Sequence, residues 1–166
     1  TRRGFGDCKD KASLIYTMLR EAGVDARLVL VRTDQNGAID TEPASLAVFD
    51  HAIAYVPKLD LYLDGTAEHS GTRELPAGDQ GVMVLVVGPN SAELKKTPVL
   101  PASSNTRTRT LTIALEDDGS GTLSAEEQIG GNDAARYRNT FQAAGTQKDR
   151  LQRQLSSSFP GLSLEQ

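Results

Sequence analysis

One helical stripe followed by a succession of short strands limits how this chain can fold. Over residues 8–22, Ala12, Ile15, Met18, Leu19 and Ala22 fall at three- and four-residue steps, with Lys9, Asp10, Thr17 and Arg20 between them. That spacing predicts an amphipathic helix. Asp7 suits its N-cap, Asp10 favours the positive end of its dipole, and Gly23 ends it as a C′ residue. The Arg3-Gly4-Phe5-Gly6 stretch reads as a bending loop, so Cys8 belongs to the first helical turn.

After the helix the period changes. Leu28-Val29-Leu30-Val31 is a β-branched-rich run read as a buried strand. Residues 33–47 form a long loop with a tight turn at Asn36-Gly37. Strands are expected at 48–56 and 61–65, joined around Pro57-Lys58, and at 82–87. Residues 88–106, rich in Gly, Pro and Ser, mark a boundary, which divides the chain into a core at 1–90, a linker at 91–106 and a segment at 107–166. In that last segment Arg107–Leu115 alternates, Asp117–Gly121 turns, and Thr122–Ile129 returns as a hairpin. Helices follow at 132–143 and 146–157, with Asn132 and Thr146 as caps. A hairpin with two polar helices is a thin core, so 107–166 is expected to be part of a larger β-rich domain.

Composition narrows the function classes. Eighteen Lys and Arg against 22 Asp and Glu leave a net charge of −4, and Trp is absent. Nucleic-acid binding needs a basic footprint or stacking aromatics, so no nucleic-acid partner is expected. No apolar run approaches the length of a membrane span, so no transmembrane segment is expected. The single cysteine cannot close an internal disulfide or build a zinc ribbon.

A lone cysteine is ordinarily a small buried hydrophobe. At a helix N-terminus, however, unpaired amides and the dipole favour the thiolate, and the same amides can hold an oxyanion. Gly4 and Gly6 keep side chains away from the approach. The sulfur needs a base, and the chain has two histidines. His69 lies in a loop, while His51 lies in the 48–56 strand with Ile53 and Tyr55 on its face. A two-residue turn at Pro57-Lys58 pairs residues summing to 115 and sets His51 opposite Asp64. A four-residue turn at 57–60 gives a sum of 117, with Asp64 opposite Ile53 and diagonal to His51. Both registers put the carboxylate where it can orient the imidazole, whereas a sum of 116 separates the two by faces. Asp50, next to His51, points to the opposite face, and Asp60 sits at the turn. Cys8, His51, His69 and Asp64 offer metal-ligand types without tight ligand spacing, so neither metal nor cofactor is expected.

Gly6-Asp7-Cys8-Lys9-Asp10-Lys11-Ala12, Phe49-Asp50-His51-Ala52 and Tyr62-Leu63-Asp64-Gly65-Thr66 together resemble the three core motifs of the transglutaminase-like superfamily, in its bacterial multidomain branch. The resemblance covers about residues 3–88 and includes the Gly81–Val87 strand. It implies a papain-like α+β fold, a cysteine-bearing helix packed on an antiparallel sheet, followed by a small β-rich segment with helices. It implies Cys8 as nucleophile, His51 as general base and acid, Asp64 as orienter, a protein or peptide substrate, and an extracytoplasmic location. Two departures stand out. Gly65 replaces the usual proline, and only seven residues precede Cys8 where the family core has helices, leaving the cleft incomplete. A non-catalytic scaffold domain of a larger envelope protein is the competing expectation.

Overall fold

The computed structural model describes residues 4–40 and 42–165. Arg3 of the expected bending loop and Thr41 of the expected 33–47 loop lie outside them. The architecture is mixed helix and antiparallel sheet. Helix α1 spans Cys8–Glu21 and is followed by strands β1 (Arg27–Val31), β2 (His51–Val56), β3 (Leu61–Leu63), β4 (Met83–Val87) and β5 (Ala92–Lys96). These five form one sheet in the order β3-β2-β1-β4-β5, every pair antiparallel. The remainder comprises strands β6 (Arg107–Leu115) and β7 (Gly121–Ile129), which pair with each other as a two-stranded sheet, and helices α2 (Asn132–Thr140) and α3 (Ala144–Ser156).

The start of α1 is locked by its own side chains. Asp7 Oδ1 accepts from the amides of Lys9 at 2.9 Å and Asp10 at 3.2 Å, while the Asp10 carboxylate reaches back to the Asp7 amide at 3.2 Å. This capping box meets three backbone donors with two acids, both suited to the positive end of the dipole. Gly6 is glycine because Asp10 folds back over it: a Cβ there would lie 2.5 Å from the Asp10 Cβ. At the other end, Gly23 has φ +75°. Val24 bonds the Leu19 carbonyl and Gly23 that of Arg20, closing the helix as a Schellman turn.

The sheet buries one face most completely. Val29, Val31, Ile53, Tyr55, Tyr62, Leu75, Val84 and Val86 make one apolar cluster, within which Tyr55 and Tyr62 stack at 4.4 Å. Pairing of Val31 with His51 and of Val29 with Ile53 places the histidine at the end of this face. Helix α1 packs mainly on β2, burying Ala12.

Three expectations need correction. Part of the expected linker at 91–106 is β5, which pairs along β4 through Ala92–Lys96. Its residues Glu93, Lys95 and Lys96 suit a solvent-facing edge strand and give no apolar signal. Residues before His51 are not strand: Leu46–Val48 form a 3₁₀ turn capped by Ser45. The caps of α2 and α3 are Gly131 and Ala143, neither with a side-chain capping bond, rather than Asn132 and Thr146. Residues 107–166 hold a hairpin and two helices, Asn132–Thr140 and Ala144–Ser156 in place of the expected 132–143 and 146–157. Leu111, Ile113 and Leu115 are exposed along β6. Arg138 of α2 reaches the main sheet's loops, donating to the His69 carbonyl at 2.7 Å and pairing with Glu74 at 3.8 Å. Among the described residues no helix is long and apolar enough to cross a membrane.

Replacing Asp7 with Ala removes the one acceptor that serves two helix-start amides. Urea unfolding is expected to show a loss of about 1 kcal/mol, the usual cost of deleting an N-cap side chain.

Candidate active site

The β2–β3 connection decides what faces His51. Pro57–Leu59 form a 3₁₀ turn, and Asp60 closes it in the left-handed region at φ 46°. Proline has its φ preset for such a turn, and Asp tolerates the left-handed conformation better than most residues. The Tyr55 hydroxyl donates to Asp60 Oδ1 at 2.8 Å and fixes the corner. The result is the four-residue turn: Val56 pairs with Leu61, Tyr55 with Tyr62 and Ala54 with Leu63, each pair summing to 117. Asp64 follows immediately, in line with Ile53 and diagonal to His51, on the same face.

The side chains meet accordingly. His51 Nε2 lies 3.3 Å from Asp64 Oδ2, with side-chain exposures of 14% and 5%. Asp64 Oδ1 accepts from the Thr66 amide at 2.8 Å and from the Thr66 hydroxyl at 2.8 Å, so the carboxylate is held from both sides. Burial pushes the Asp64 carboxyl up, but the bonds from His51 and Thr66 outweigh it and keep it below its ordinary value. For His51 the bond to Asp64 is the largest influence. Burial opposes it, a hydrogen bond with Cys8 adds to it, and the imidazole is raised to about 9. Cys8 is half-buried.

Helix and strand come this close because Gly65 carries no side chain. A Cβ at Gly65 would lie 2.9 Å from Ile15 Cδ1 and 3.0 Å from Lys11 Cβ. The departure from proline at this position therefore has a packing reason: it is where α1 crosses the end of β3. The capping box adds another feature. It occupies the amides of Lys9 and Asp10, and the Lys11 amide bonds the Asp7 carbonyl at 3.0 Å. Among the described residues the Cys8 amide donates to nothing, which leaves it able to bind an oxyanion.

The other acids fall as follows. Asp50 accepts from Thr33 and Asn36 and pins the 33–36 loop beside the start of β2. Burial raises its carboxyl, and those bonds bring it below its ordinary value. Asp60 belongs to the turn. His69 stays in a surface turn at φ 67°, apart from the cluster. The residue that sequence reasoning missed is Asp79, 3% exposed, with Oδ2 4.0 Å from His51 Nε2. Burial and the neighbouring Asp64 push its carboxyl up to about 6. Nothing in its local sequence, between Pro76 and Gly81, singles it out beyond its being an acid. His51, Asp64 and Asp79 present donor atoms all within 4.8 Å of one another, a nitrogen-and-oxygen set that fits a divalent cation by type. Neither Cys8 nor His69 belongs to that set. A cavity of about 210 Å³ bounded by Leu59, Asp60, Tyr62, Arg73, Leu75 and Leu100 is lined by none of Cys8, His51, Asp64 and Asp79.

Residues 1–63 match the model of the family described as the transglutaminase-like superfamily. The match includes Cys8 and His51 and ends one residue before Asp64. No curated protein and no solved structure matches the chain.

Two outcomes are expected. Replacing Gly65 with Ala crowds Lys11 Cβ and the tip of Ile15 and is expected to cost about 1–3 kcal/mol in urea unfolding, as overpacking does. The second concerns pH. The imidazole is raised from 6.5 to about 9 on folding, so its contribution is complete below 6.5 and is lost as pH rises through 9. Stability is expected to fall between those limits by on the order of 2 kcal/mol, allowing for residual solvation. His51→Gln is expected to flatten that slope in thermal melts taken at successive pH values.

Proposed function

We propose that the chain, whose residues 1–63 match the model of the transglutaminase-like superfamily, carries a papain-like cysteine centre for acyl transfer, with Cys8, His51 and Asp64 as its triad. The observation that carries the reading is the 3.3 Å approach of Asp64 Oδ2 to His51 Nε2, on an imidazole that the chain's single cysteine also helps to raise. A carboxylate behind a histidine stabilises the imidazolium and fixes which nitrogen faces the nucleophile. An imidazolium beside a sulfur favours the thiolate form of the pair.

In the proposed reaction the Cys8 sulfur attacks the carbonyl carbon of a peptide-type amide. The oxygen takes the negative charge and is met by the Cys8 amide. As the tetrahedral intermediate collapses, the C–N bond breaks and His51 gives its proton to the departing ammonia or amine. The thioester is then resolved by water, with His51 accepting the water proton and the C–S bond breaking. Hydrolysis of a protein or peptide amide is the form we favour, and an amine in place of water makes the same chemistry a cross-link. Residues 107–166 are assigned to an accompanying β-rich segment, the arrangement of the bacterial multidomain branch, and take no part in the chemistry.

Iodoacetamide is expected to label Cys8 at pH 6–7 about tenfold or more faster than a free thiol peptide, which is only a few per cent thiolate there. His51→Ala is expected to bring labelling down to the peptide rate, and Asp64→Asn to lower it by about tenfold, while circular dichroism stays unchanged. Wild-type labelling at the rate of the free peptide would leave the scaffold reading in its place.

A further inference from the structure

A buried carboxylate without a hydrogen-bond partner is expensive, so a fold keeps one only where it does something. Asp79 is such a group. Its side chain is 4% exposed, and its Oδ2 is the one buried side-chain oxygen or nitrogen among the described residues with no partner. It is also held in place deliberately. It ends the 3₁₀ turn Ala77–Asp79, its amide bonds the Pro76 carbonyl at 3.0 Å, and its own carbonyl accepts from the Thr97 hydroxyl at 2.6 Å. On its C-terminal side Gln80 donates to the Leu75 carbonyl at 2.7 Å and accepts from the Leu100 amide at 3.0 Å. Backbone pinned on both flanks leaves the carboxylate little freedom to move away. It is aimed at His51, with Oδ2 4.0 Å from Nε2, the nitrogen that Asp64 approaches at 3.3 Å.

We propose that Asp79 is a second orienting carboxylate of this centre, sharing the Nε2 edge of His51 with Asp64 and so positioning and stabilising the imidazolium. Asp79 touches neither substrate nor sulfur and acts through His51, which makes it a positioning residue. As a deepening of the triad, the idea rests on the acyl-transfer reading, but its effect on the imidazole does not require that Cys8 be a nucleophile. The groups that face the imidazole are Asp64 from the end of β3, Asp79 from the 77–79 turn and Cys8 from α1, with Asp50 acting on Asp79 from the start of β2. Two carboxylates on one edge can divide a proton between them. When Asp79 is protonated, Asp64 alone faces the imidazolium as an anion. When Asp79 ionises, both do, and the imidazole holds its proton more tightly. This gives the chain a graded control over its base that a single aspartate does not provide.

The test is a pair of histidine titrations by NMR, on the 166-residue chain in EDTA. His69, exposed and apart, serves as the internal reference. In the wild type the His51 resonance is expected to show a second inflection near pH 6, from ionisation of Asp79, which His69 lacks. In Asp79→Asn that inflection should vanish and the His51 midpoint should drop by about one pH unit, the size of effect a nearby opposite charge exerts. Asp79→Glu should recover part of the drop, and His69 should not move. A His51 curve in Asp79→Asn that superposes on the wild type would overturn the proposal. Should that variant fail to fold, the wild-type curve decides, and a single inflection there refutes the idea. Cys8 labelling in the same samples separates the two claims. A free-thiol rate in the wild type together with a shifted His51 in Asp79→Asn sinks the acyl-transfer reading and leaves Asp79 standing.

Discussion

The site depends on the pairing register of β2 against β3. Side chains in a strand alternate between faces, so a slip of one residue would carry Asp64 to the side of the sheet away from His51. What prevents the slip is local: a proline-led 3₁₀ turn, an aspartate in the left-handed region, and the Tyr55 hydroxyl bonded to that aspartate. The stacked pair Tyr55–Tyr62 then holds the two strands in the same alignment from within the core. The turn and the core thus specify one register by independent means, and the imidazole and carboxylate meet as a consequence.

Around that meeting the electrostatics are balanced rather than simply favourable. Burial resists charge on every member of the cluster, and only groups with enough partners keep theirs. Asp64 has Thr66 on one oxygen and His51 beside the other, so it remains ionised. Asp79 has no such support at Oδ2 and faces another carboxylate, so it holds a proton to higher pH. His51 takes up the difference, since each neighbouring anion favours its cation. The same buried acids that lie beside the ring also raise the pH at which it gives up its proton.

Helix α1 joins this arrangement by close approach. Its first turn is closed by the Asp7–Asp10 box, which consumes the amides beyond Cys8 but not that of Cys8 itself. Its middle rests against Gly65, where any side chain would hold it off. The packing of α1 on β2 brings the cysteine toward the histidine, and two small features, a cap and a missing Cβ, set how closely.

Much of this was legible from order and spacing. The stripe at Ala12, Ile15 and Leu19, the cap at Asp7 and the stop at Gly23 are encoded within a few residues of one another, because helix ends are satisfied locally. The β-branched runs of β1, β2 and β4 declare themselves through their own composition. Strand β5 did not, because an edge strand made of Glu and Lys carries no apolar signal and is defined by its neighbour β4. The choice between sums of 115 and 117 was likewise closed to sequence reading, since a proline start admits either turn and only the Tyr55–Asp60 bond and the tyrosine stack select one. Asp79 lies fifteen positions beyond Asp64 in a loop of no particular pattern, and only the fold brings it within 4.0 Å of His51. Sequence alone determined helix α1, the apolar strands and the groups Cys8, His51 and Asp64, because these follow from nearest neighbours along the chain. Tertiary structure decided which of those groups share a face and which lose their water, because both depend on contacts between residues far apart in sequence.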